Sequence, residues 1–381
     1  MPLSDPEQQN ISILPNTKIA LVHDWLLGMG GADRVLKALH KIFPQAPIYT
    51  LFFNPCFTRD FLPEADIRAT HLQKNFRPGK KPSRMLPYLP SAIESLDFSE
   101  YDLVISSSTA YSKGLILKPK TMHISYCYSP TRQVWDRFAE GIQERSALMK
   151  IFTALSQHIL RLWDSKAATR VDHFIAISKN VQKRIKKYYH RDSRMVYPPV
   201  DIASRAAPEH KVFYLIVSRL YKHKNVDIAV KAFNKLGWPL VIIGDGPEYR
   251  KLKSLAEPNV TLMGYQDDKV VAEHYRNCIA FIMPQEEDFG LTPIEAMSYG
   301  KPVVALKAGG AVEYIDEGIN GIFFEDPTEA SLANGVRILK ESLDKFNPEI
   351  IRKTALPFGP ERFEKEIRQF VIEKLHESRE E

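Results

Sequence analysis

Long apolar runs and paired cysteines are the two features that this sequence of 381 residues lacks. No run approaches the roughly 20 apolar residues that a membrane-spanning helix requires. The N-terminal stretch MPLSDPEQQN is polar and has no apolar signal core. The three cysteines are odd in number, far apart and without metal-ligand spacing, so neither a disulfide framework nor a zinc site is indicated. These absences predict a cytoplasmic protein.

Acidic residues are also absent between Ile67 and Ile93, where basic and apolar residues interleave. The cations of this stretch are Arg68, Lys74, Arg77, Lys80, Lys81 and Arg84. A second basic stretch runs from Lys179 to Arg194, and Asp192 is its only acid. The first stretch is either a solvated loop or a face that meets anionic lipid or a diphosphate-bearing acceptor. The second is either a solvated helix face or a peripheral membrane contact. Nucleic acid is not an expected partner, because no nucleic-acid-binding motif accompanies the charge.

Short apolar runs alternate with helical stretches along most of the chain. KIALVH, VFYLIVS and PLVIIGDG are examples of runs that predict buried strands. This alternation is typical of α/β proteins with parallel, doubly wound sheets, and the length allows two facing domains of this kind. We predict a disordered tail at 1–16, a first domain at 17–203 and a second at 204–360. We expect the helix in 361–381 to return to the first domain.

Charged residues follow several predicted strands of the second half. Arg219 and Lys224 come directly after VFYLIVS, where two cations beside a helix start suit a diphosphate. Glu287 follows IAFIMP, and its carboxylate can accept hydrogen bonds from sugar hydroxyls. Because ligands of doubly wound sheets bind at the carboxyl ends of strands, we expect these side chains to share one site. A solvated loop remains the alternative for each of them taken alone.

The segment EEDFGLTPIEAM contains a predicted helix start. Thr292, Pro293 and Glu295 fit the N-cap, first-turn and N3 positions of a capping box, and the same Glu295 could also accept from a ribose diol. The amides of Gly290, Leu291 and Thr292 are predicted to face a ligand. Gly30 and Gly31 form a second loop of this type in GMGGADR. That loop lacks the third glycine of a dinucleotide fingerprint, so a nicotinamide enzyme is not expected.

The motifs SRLYKHKNVDIAVKAF, IIGDGPE, LMGYQDD and EDFGLTPIEAMSYGKPVVALKAGGAVEYI resemble those of the retaining glycosyltransferases of family 4, which have the GT-B fold. The stretches HDWLLGMGGADRVLKAL, HISYCYSPTRQVWD and VDHFIAISKNVQKRI resemble a branch of mannosyltransferases that build bacterial surface polysaccharides such as O-antigen. The resemblance covers nearly the whole chain. It implies that the first domain binds an acceptor and the second a nucleotide-sugar donor.

The resemblance also implies roles for individual residues. Catalytic roles fall to Arg219, Lys224, Glu287 and Tyr128. Donor-binding roles fall to Gly30, Gly31, Arg219, Lys224, Tyr265, Glu287, Phe289, Gly290, Leu291, Thr292 and Glu295, and acceptor-binding roles to Asp24, Trp25, Ser108 and Arg132. One departure stands in YCYSP, where Tyr128 replaces the histidine usual in this branch. Tyrosine can donate a hydrogen bond but cannot act as a cation at neutral pH.

The expected function is therefore retaining transfer of a hexosyl group from a nucleotide diphosphate sugar to a glycan acceptor. Mannose from GDP-mannose and a lipid-linked acceptor are the specific expectations. No Asp-x-Asp motif stands at a strand end, so we expect neither a metal ion nor another cofactor. Two alternatives stay open. One is glucosyl or galactosyl transfer from a UDP-sugar, and the other is a scaffold that binds nucleotide sugar but is inactive because of Tyr128.

Overall fold

The computed structural model describes residues 17–77, 82–136, 147–206 and 213–380, except for the side chains of 82–84, 147 and 148. The predicted tail at 1–16 lies outside the described residues. So do Lys80 and Lys81 of the first basic stretch. The chain forms two compact units, of which the first comprises Met1–Tyr197 with Phe363–Glu381 and the second Pro198–Arg362. The boundaries therefore fall at 197/198 and 362/363, where the sequence had suggested 203/204 and 360/361.

The first unit is built on a parallel sheet of seven described strands. They are β1 (Ile19–His23), β2 (Ile48–Thr50), β3 (Ile67–Ala69), β4 (Leu103–Ser108), β5 (Met122–Cys127), β6 (His173–Ala176) and β7 (Ser193–Met195). Their order across the sheet is β3-β2-β1-β4-β5-β6-β7. Chain direction across the sheet therefore reverses between β1 and β4, which pair from Ile19 opposite Leu103 to His23 opposite Ser107. In doubly wound sheets this switch point is where ligands bind.

The second unit repeats this plan with six described strands. They are β8 (Phe213–Val217), β9 (Leu240–Ile243), β10 (Val260–Gly264), β11 (Cys278–Met283), β12 (Val303–Leu306) and β13 (Gly321–Phe324), in the order β10-β9-β8-β11-β12-β13. All pairs are parallel. The switch point lies between β8 and β11. The predicted α/β fold with two doubly wound domains is confirmed.

Helices connect the strands, as parallel pairing requires. In the first unit they are α1 (Gly31–Ile42), α2 (Pro55–Phe61), α3 (Leu89–Glu94), α4 (Ala147–Thr169) and α5 (Lys179–Tyr189). In the second unit they are α6 (Val226–Leu236), α7 (Tyr249–Leu255), α8 (Asp268–Asn277), α9 (Leu291–Ser298), α10 (Glu329–Glu341) and α11 (Pro348–Ala355). The predicted start of α4 at 142 lies outside the described residues.

The C-terminal helix α12 (Pro360–Glu380) packs on the first unit. Phe363 makes an edge-on contact with Tyr126 of β5, at 5.7 Å between ring centroids. Arg368 donates a hydrogen bond of 3.1 Å to the carbonyl of Ile42 at the end of α1. A chain that continues beyond the second unit thus completes the core of the first.

Two short edge strands were not predicted. β3 and β7 hold three residues each, too few for an alternating pattern to be recognised. In the run from Met195 to Asp201, only Met195 belongs to a strand. Pro198 and Pro199 lack backbone N–H donors, so the run cannot continue the ladder.

Candidate functional site

The segments that follow β8 and β11 meet at the switch point of the second sheet. Residues 218–225 leave β8, and residues 284–290 leave β11, its direct neighbour. Both segments contain the charged residues that the sequence had singled out. The structure therefore brings Lys224 and Glu287 together, although 63 positions separate them along the chain.

Lys224 and Glu287 form an ion pair through Nζ and Oε1. Gln285 donates a second hydrogen bond to the same carboxylate oxygen, at 3.0 Å from its Nε2. Burial alone would raise the pKa of the Glu287 carboxyl, but the Lys224 ammonium outweighs burial and holds that pKa below its ordinary value. The Glu287 carboxylate is consequently charged at neutral pH. The side chains keep 12% and 23% of their exposure, so a polar ligand can reach them.

Arg219 lies in the same loop and is exposed. Its guanidinium carbon lies 5.8 Å from the ring centroid of Tyr221. The loop is attached to the turn after β9, because Leu220 donates its N–H to the carbonyl of Asp245 at 2.9 Å. The turn GDGPE after β9 therefore supports the loop that carries Arg219.

The helix after β11 begins differently from the prediction. α9 starts at Leu291, its N-cap is Gly290 with φ 94° and ψ 99°, and no side chain caps it. Thr292 and Glu295 therefore do not form a capping box, and that prediction was wrong. Only glycine adopts this backbone conformation readily, so Gly290 makes the turn and the helix begins two residues before Pro293. The first amides of α9 are left for another acceptor, as anion binding at a helix start requires.

Glu295 is held by a residue from another helix. Its Oε2 accepts a hydrogen bond of 2.9 Å from the hydroxyl of Tyr275 in α8, and the residue is only 9% exposed. Tyr275 lies 20 positions upstream, so no local pattern could indicate this partner. The contact sets the direction of the carboxylate. Ribose binding by Glu295 stays a prediction.

The loop that carries Glu287 is positioned by Gly309 and Gly310 after β12. Gly310 donates its N–H to the carbonyl of Glu287 at 2.8 Å. A Cβ on Gly310 would lie 2.5 Å from the Cα of Phe289, so no other residue fits without moving the loop. Phe289 itself is 2% exposed and packs 5.5 Å from Tyr314. Its side chain belongs to the core, and only its backbone can contribute to donor binding.

Tyr265 follows β10 and is 70% exposed. The strand order places β10 at the edge of the sheet, two strands from β8. With about 4.8 Å between neighbouring strands, Tyr265 leaves the sheet about 10 Å from the switch point. Its predicted donor contact is neither supported nor contradicted by this position.

The switch point of the first sheet holds a buried polar cluster formed by His23, Asp33, Ser107 and Tyr128. His23 Nδ1 lies 3.0 Å from Ser107 Oγ, and its Nε2 lies 3.7 Å from Asp33 Oδ1. Tyr128 OH lies 2.8 Å from Ser107 Oγ and donates to the carbonyl of Ala32 at 3.1 Å. Burial raises the pKa of Tyr128 well above its ordinary value, so it remains a neutral donor. Three members of this cluster were missed from the sequence.

The cluster fixes the start of α1. Gly30 is its N-cap, in an extended conformation and without a side-chain cap, and Gly31 is its first residue. Because Tyr128 holds the carbonyl of Ala32, the glycine loop is attached to β4 and β5. A polar residue at the end of the apolar strand IALVH was the one signal that could have indicated His23.

Asp24, predicted to bind an acceptor, is a buried anchor. It is 1% exposed, and its two carboxylate oxygens accept five hydrogen bonds from residues 109–112. Four of the donors are backbone amides at 2.6–2.9 Å. Every acceptor position of the carboxylate is thereby engaged by the protein. The structure thus gives Asp24 a structural role in holding a loop 85 residues away in sequence, and its acceptor role stays a prediction.

The other predicted acceptor residues are placed separately. Trp25 is half-buried and stacks on Phe52 at 6.2 Å. Ser108 is 1% exposed, and within the described part of the chain its Oγ finds no hydrogen-bond partner. Arg132 lies 3.7 Å from Asp136, which also pairs with Arg184 at 3.0 Å. None of these contacts tests an acceptor role.

Groups of metal-ligating side chains and membrane-spanning helices are both absent from the described part of the chain. Within 17–77, 82–136, 147–206 and 213–380, no three His, Cys, Asp or Glu side chains are grouped as a metal ion would need. Metal independence stays a prediction. No helix in the described part of the chain is long and apolar enough to cross a bilayer.

The two parallel-sheet domains match the GT-B fold, and comparison with known proteins relates both of them to glycosyltransferases. Residues 29–204 match the model of Glycosyltransferase Family 4, and residues 199–353 match Glycosyl transferases group 1. Together the two matches span 29–353. Each half of the chain therefore matches a family of glycosyltransferases.

Similarity to individual proteins is low but mostly extends over the full length. The human Alpha-1,3/1,6-mannosyltransferase ALG2 is 22% identical, over 95% of this chain and 97% of its own. The Lipopolysaccharide 1,6-galactosyltransferase of Salmonella typhimurium is 25% identical, over 94% and 99%. An uncharacterized glycosyltransferase of Methanocaldococcus jannaschii is 29% identical over 51% of this chain. This match spans 55% of the length of the Methanocaldococcus protein. The Anabaena protein HepE, solved with UDP and glucose, has a TM-score of 0.71 at 18% identity, over 93% and 99%.

Proposed function

We propose that this protein transfers a mannosyl group from GDP-mannose to a lipid-linked glycan, with retention of configuration and without a metal ion. The acceptor belongs to the synthesis of a surface polysaccharide at the cytoplasmic face of an anionic membrane. The observation that carries the proposal is the ion pair of Lys224 with Glu287 at the β8/β11 switch point, next to the exposed Arg219 of the same loop as Lys224. Phosphate and hydroxyl groups are the ligands that such a set of side chains recognises.

The proposed chemistry needs no covalent step on the protein. The bond between the anomeric carbon and the β-phosphate oxygen breaks, and a bond to the acceptor oxygen forms on the same face of the sugar. The acceptor hydroxyl loses its proton to the departing phosphate. Arg219, Lys224 and the amides at the start of α9 stabilise the charge that develops on the diphosphate. Glu287 orients the sugar through its hydroxyls, and Glu295 binds the ribose.

The Lys224–Glu287 pair supports this division of labour. A diphosphate that contacts the ammonium of Lys224 brings negative charge beside Glu287. The sugar hydroxyls then supply the donors that the carboxylate needs. Because Lys224 lowers the pKa of the Glu287 carboxyl, this group is already ionised before the donor binds.

A galactosyl or glucosyl donor carried by UDP is the second candidate. The Salmonella galactosyltransferase, similar over nearly its full length, is the observation that favours it. A screen of GDP-mannose, UDP-galactose and UDP-glucose by thermal shift and by donor hydrolysis distinguishes the two. The expected result is stabilisation by GDP-mannose above both UDP-sugars.

The catalytic assignment is tested with Arg219→Ala. Turnover should fall at least about a hundredfold, the scale observed when one charge-stabilising donor is removed, while nucleoside binding weakens less. Lys251→Ala is the matched control, since Lys251 is exposed and pairs only with Glu248 within α7 and its N-cap. Near-normal turnover of Arg219→Ala would refute the assignment. Binding of nucleotide sugar without hydrolysis or transfer by the unmodified chain would favour an inactive scaffold.

A further inference from the structure

Helix α4 exposes a row of large apolar side chains to solvent. This row, the α4 stripe, consists of Ile151, Phe152, Leu155, Ile159 and Leu162, which are 56–70% exposed. At 100° per residue these five positions fall within an arc of about 100°, and they extend for about 17 Å along the helix. Soluble proteins expose single apolar residues routinely, but contiguous apolar surface marks an interaction site.

The opposite face of α4 is locked in place. Asp164 is fully buried and accepts hydrogen bonds from Thr131, Trp135 and Tyr189 at 2.6–2.8 Å, and it pairs with the buried Lys113 at 2.6 Å. The indole of Trp163 donates to Glu94 at 2.9 Å. Rotation of α4 would break all these contacts, so the stripe cannot turn toward the core. Its exposure is built into the fold.

The exposed charged side chains of α4 are all basic. Lys150 and Lys166 are exposed on α4, Arg161 is half-buried, and the one acid of the helix is the buried Asp164. Lys166 lies within the same arc as the stripe, one turn beyond Leu162.

The neighbouring helix α5 extends the positive surface. Arg161 lies over the ring of Trp135, which stacks on Tyr188 of α5 at 4.8 Å. This contact places α5, which exposes Lys183, Lys186 and Lys187, alongside α4. Lys186 pairs with Asp192, the only acid of that basic stretch.

We propose that the α4 stripe docks the first unit on an anionic lipid bilayer, with α4 lying in the plane of the membrane surface. Apolar side chains of such a helix enter the boundary between headgroups and acyl chains, and flanking cations contact anionic headgroups. This inference deepens the proposed function, because it names the surface by which the enzyme reaches a lipid-linked acceptor. It replaces the stretch at 67–93 as the principal membrane contact.

A second copy of the chain fits this face less well. Two stripes packed together would bring Lys150, Lys166 and the lysines of α5 of one copy toward those of the other. α4 exposes no acid that could pair with them. An anionic surface removes this repulsion, since it supplies the missing charge.

Flotation of the full chain with lipid vesicles tests the proposal. The wild type should bind vesicles of phosphatidylcholine mixed with phosphatidylglycerol, and should bind phosphatidylcholine alone at least about tenfold more weakly. The triple variant Phe152→Gln, Leu155→Gln and Ile159→Gln should bind the mixed vesicles at least about tenfold more weakly than the wild type. The control is Ile350→Gln on α11, which removes a 50% exposed isoleucine from the second unit and should leave binding unchanged.

Three results would overturn the proposal. They are equal binding of the triple variant and the wild type, no binding of the wild type to the mixed vesicles, and a wild-type dimer that the triple variant abolishes. Nucleotide-sugar binding and donor hydrolysis are measured on the same preparations without lipid. If vesicle binding is lost while donor hydrolysis is intact, the result bears on the docking surface alone. If hydrolysis is lost while vesicle binding is intact, the result bears on the proposed function alone.

Discussion

Replacing Asp24 by asparagine keeps the size of the side chain but turns one hydrogen-bond acceptor into a donor. In the structure Oδ1 accepts from the amides of Tyr111 and Ser112, and Oδ2 accepts from the amides of Thr109 and Ala110 and from the Thr109 hydroxyl. Asparagine retains a single oxygen. Whichever way it is oriented, at least two buried donors then face an NH₂ group.

The expected loss of stability follows from these contacts. A hydrogen bond to a charged acceptor contributes about 1.5–3 kcal/mol, and a buried donor left without an acceptor costs a similar amount. Two such donors lower the free energy of unfolding of the first unit by about 3 kcal/mol or more. The matched control is Asp102→Asn, because Asp102 accepts one exposed backbone bond, from Lys18 at 3.0 Å. That change should cost less than about 1 kcal/mol.

Urea unfolding followed by tryptophan fluorescence is a suitable assay. Three of the four tryptophans, Trp25, Trp135 and Trp163, lie in the first unit, so the signal reports mainly on that unit. Trp25 also packs against Tyr111 of the anchored loop, at 6.2 Å between ring centroids. The structural role is refuted if Asp24→Asn unfolds with the wild-type midpoint and slope but has lost transfer. The acceptor role predicted from the sequence would then be supported.

Two further predictions concern the two switch points. Lys224→Met removes the ammonium but leaves Glu287 buried, so the pKa of Glu287 should rise. Because the wild-type pKa is lowered, the ion pair stabilises the folded chain above the ordinary carboxyl value of 4.5, and this contribution disappears as the pH falls through the lowered value. Urea unfolding at a series of pH values should show a difference between wild type and variant that is largest near neutrality, and a difference that grows on acidification would contradict it. Tyr128→Phe removes the hydroxyl that holds Ala32 and should lower the free energy of unfolding by about 1–2 kcal/mol, with Tyr249→Phe, whose bond is 3.4 Å long, as the control. Retained kcat in Tyr128→Phe identifies Tyr128 as a positioning residue, whereas loss of kcat without loss of stability supports the catalytic role.

The loops after β8 and β11 show where sequence reasoning succeeded. Arg219 directly follows the apolar run VFYLIVS and Glu287 lies three residues after IAFIMP, so their places at strand ends were predictable from the strands alone. That β8 and β11 are neighbours then brings the two loops together. The direct pairing of Lys224 with Glu287 was not predicted, because each had been matched to a group on the donor.

The unpredicted structural role of Asp24 and the failed capping box have a common physical origin. Asp24 follows an apolar strand just as Glu287 does, and the local pattern cannot distinguish a carboxylate that binds a ligand from one that holds a distant loop. The capping box failed for a related reason. Gly290 and Thr292 are both acceptable before a helix, and a Cβ at position 290 would lie 2.9 Å from the Tyr314 hydroxyl, so the earlier N-cap suits glycine.

The sequence by itself determined the class of fold, the extent of most strands and helices, and the residues that leave β8 and β11. These depend on hydrophobic period, turn residues and helix propensity, which act over a few positions. Only the tertiary structure decided that Asp24 is an anchor, that Tyr128 joins His23, Asp33 and Ser107, and that the apolar row of α4 faces solvent. Each depends on partners 21 to 96 positions away, whose approach is set by the packing of whole elements.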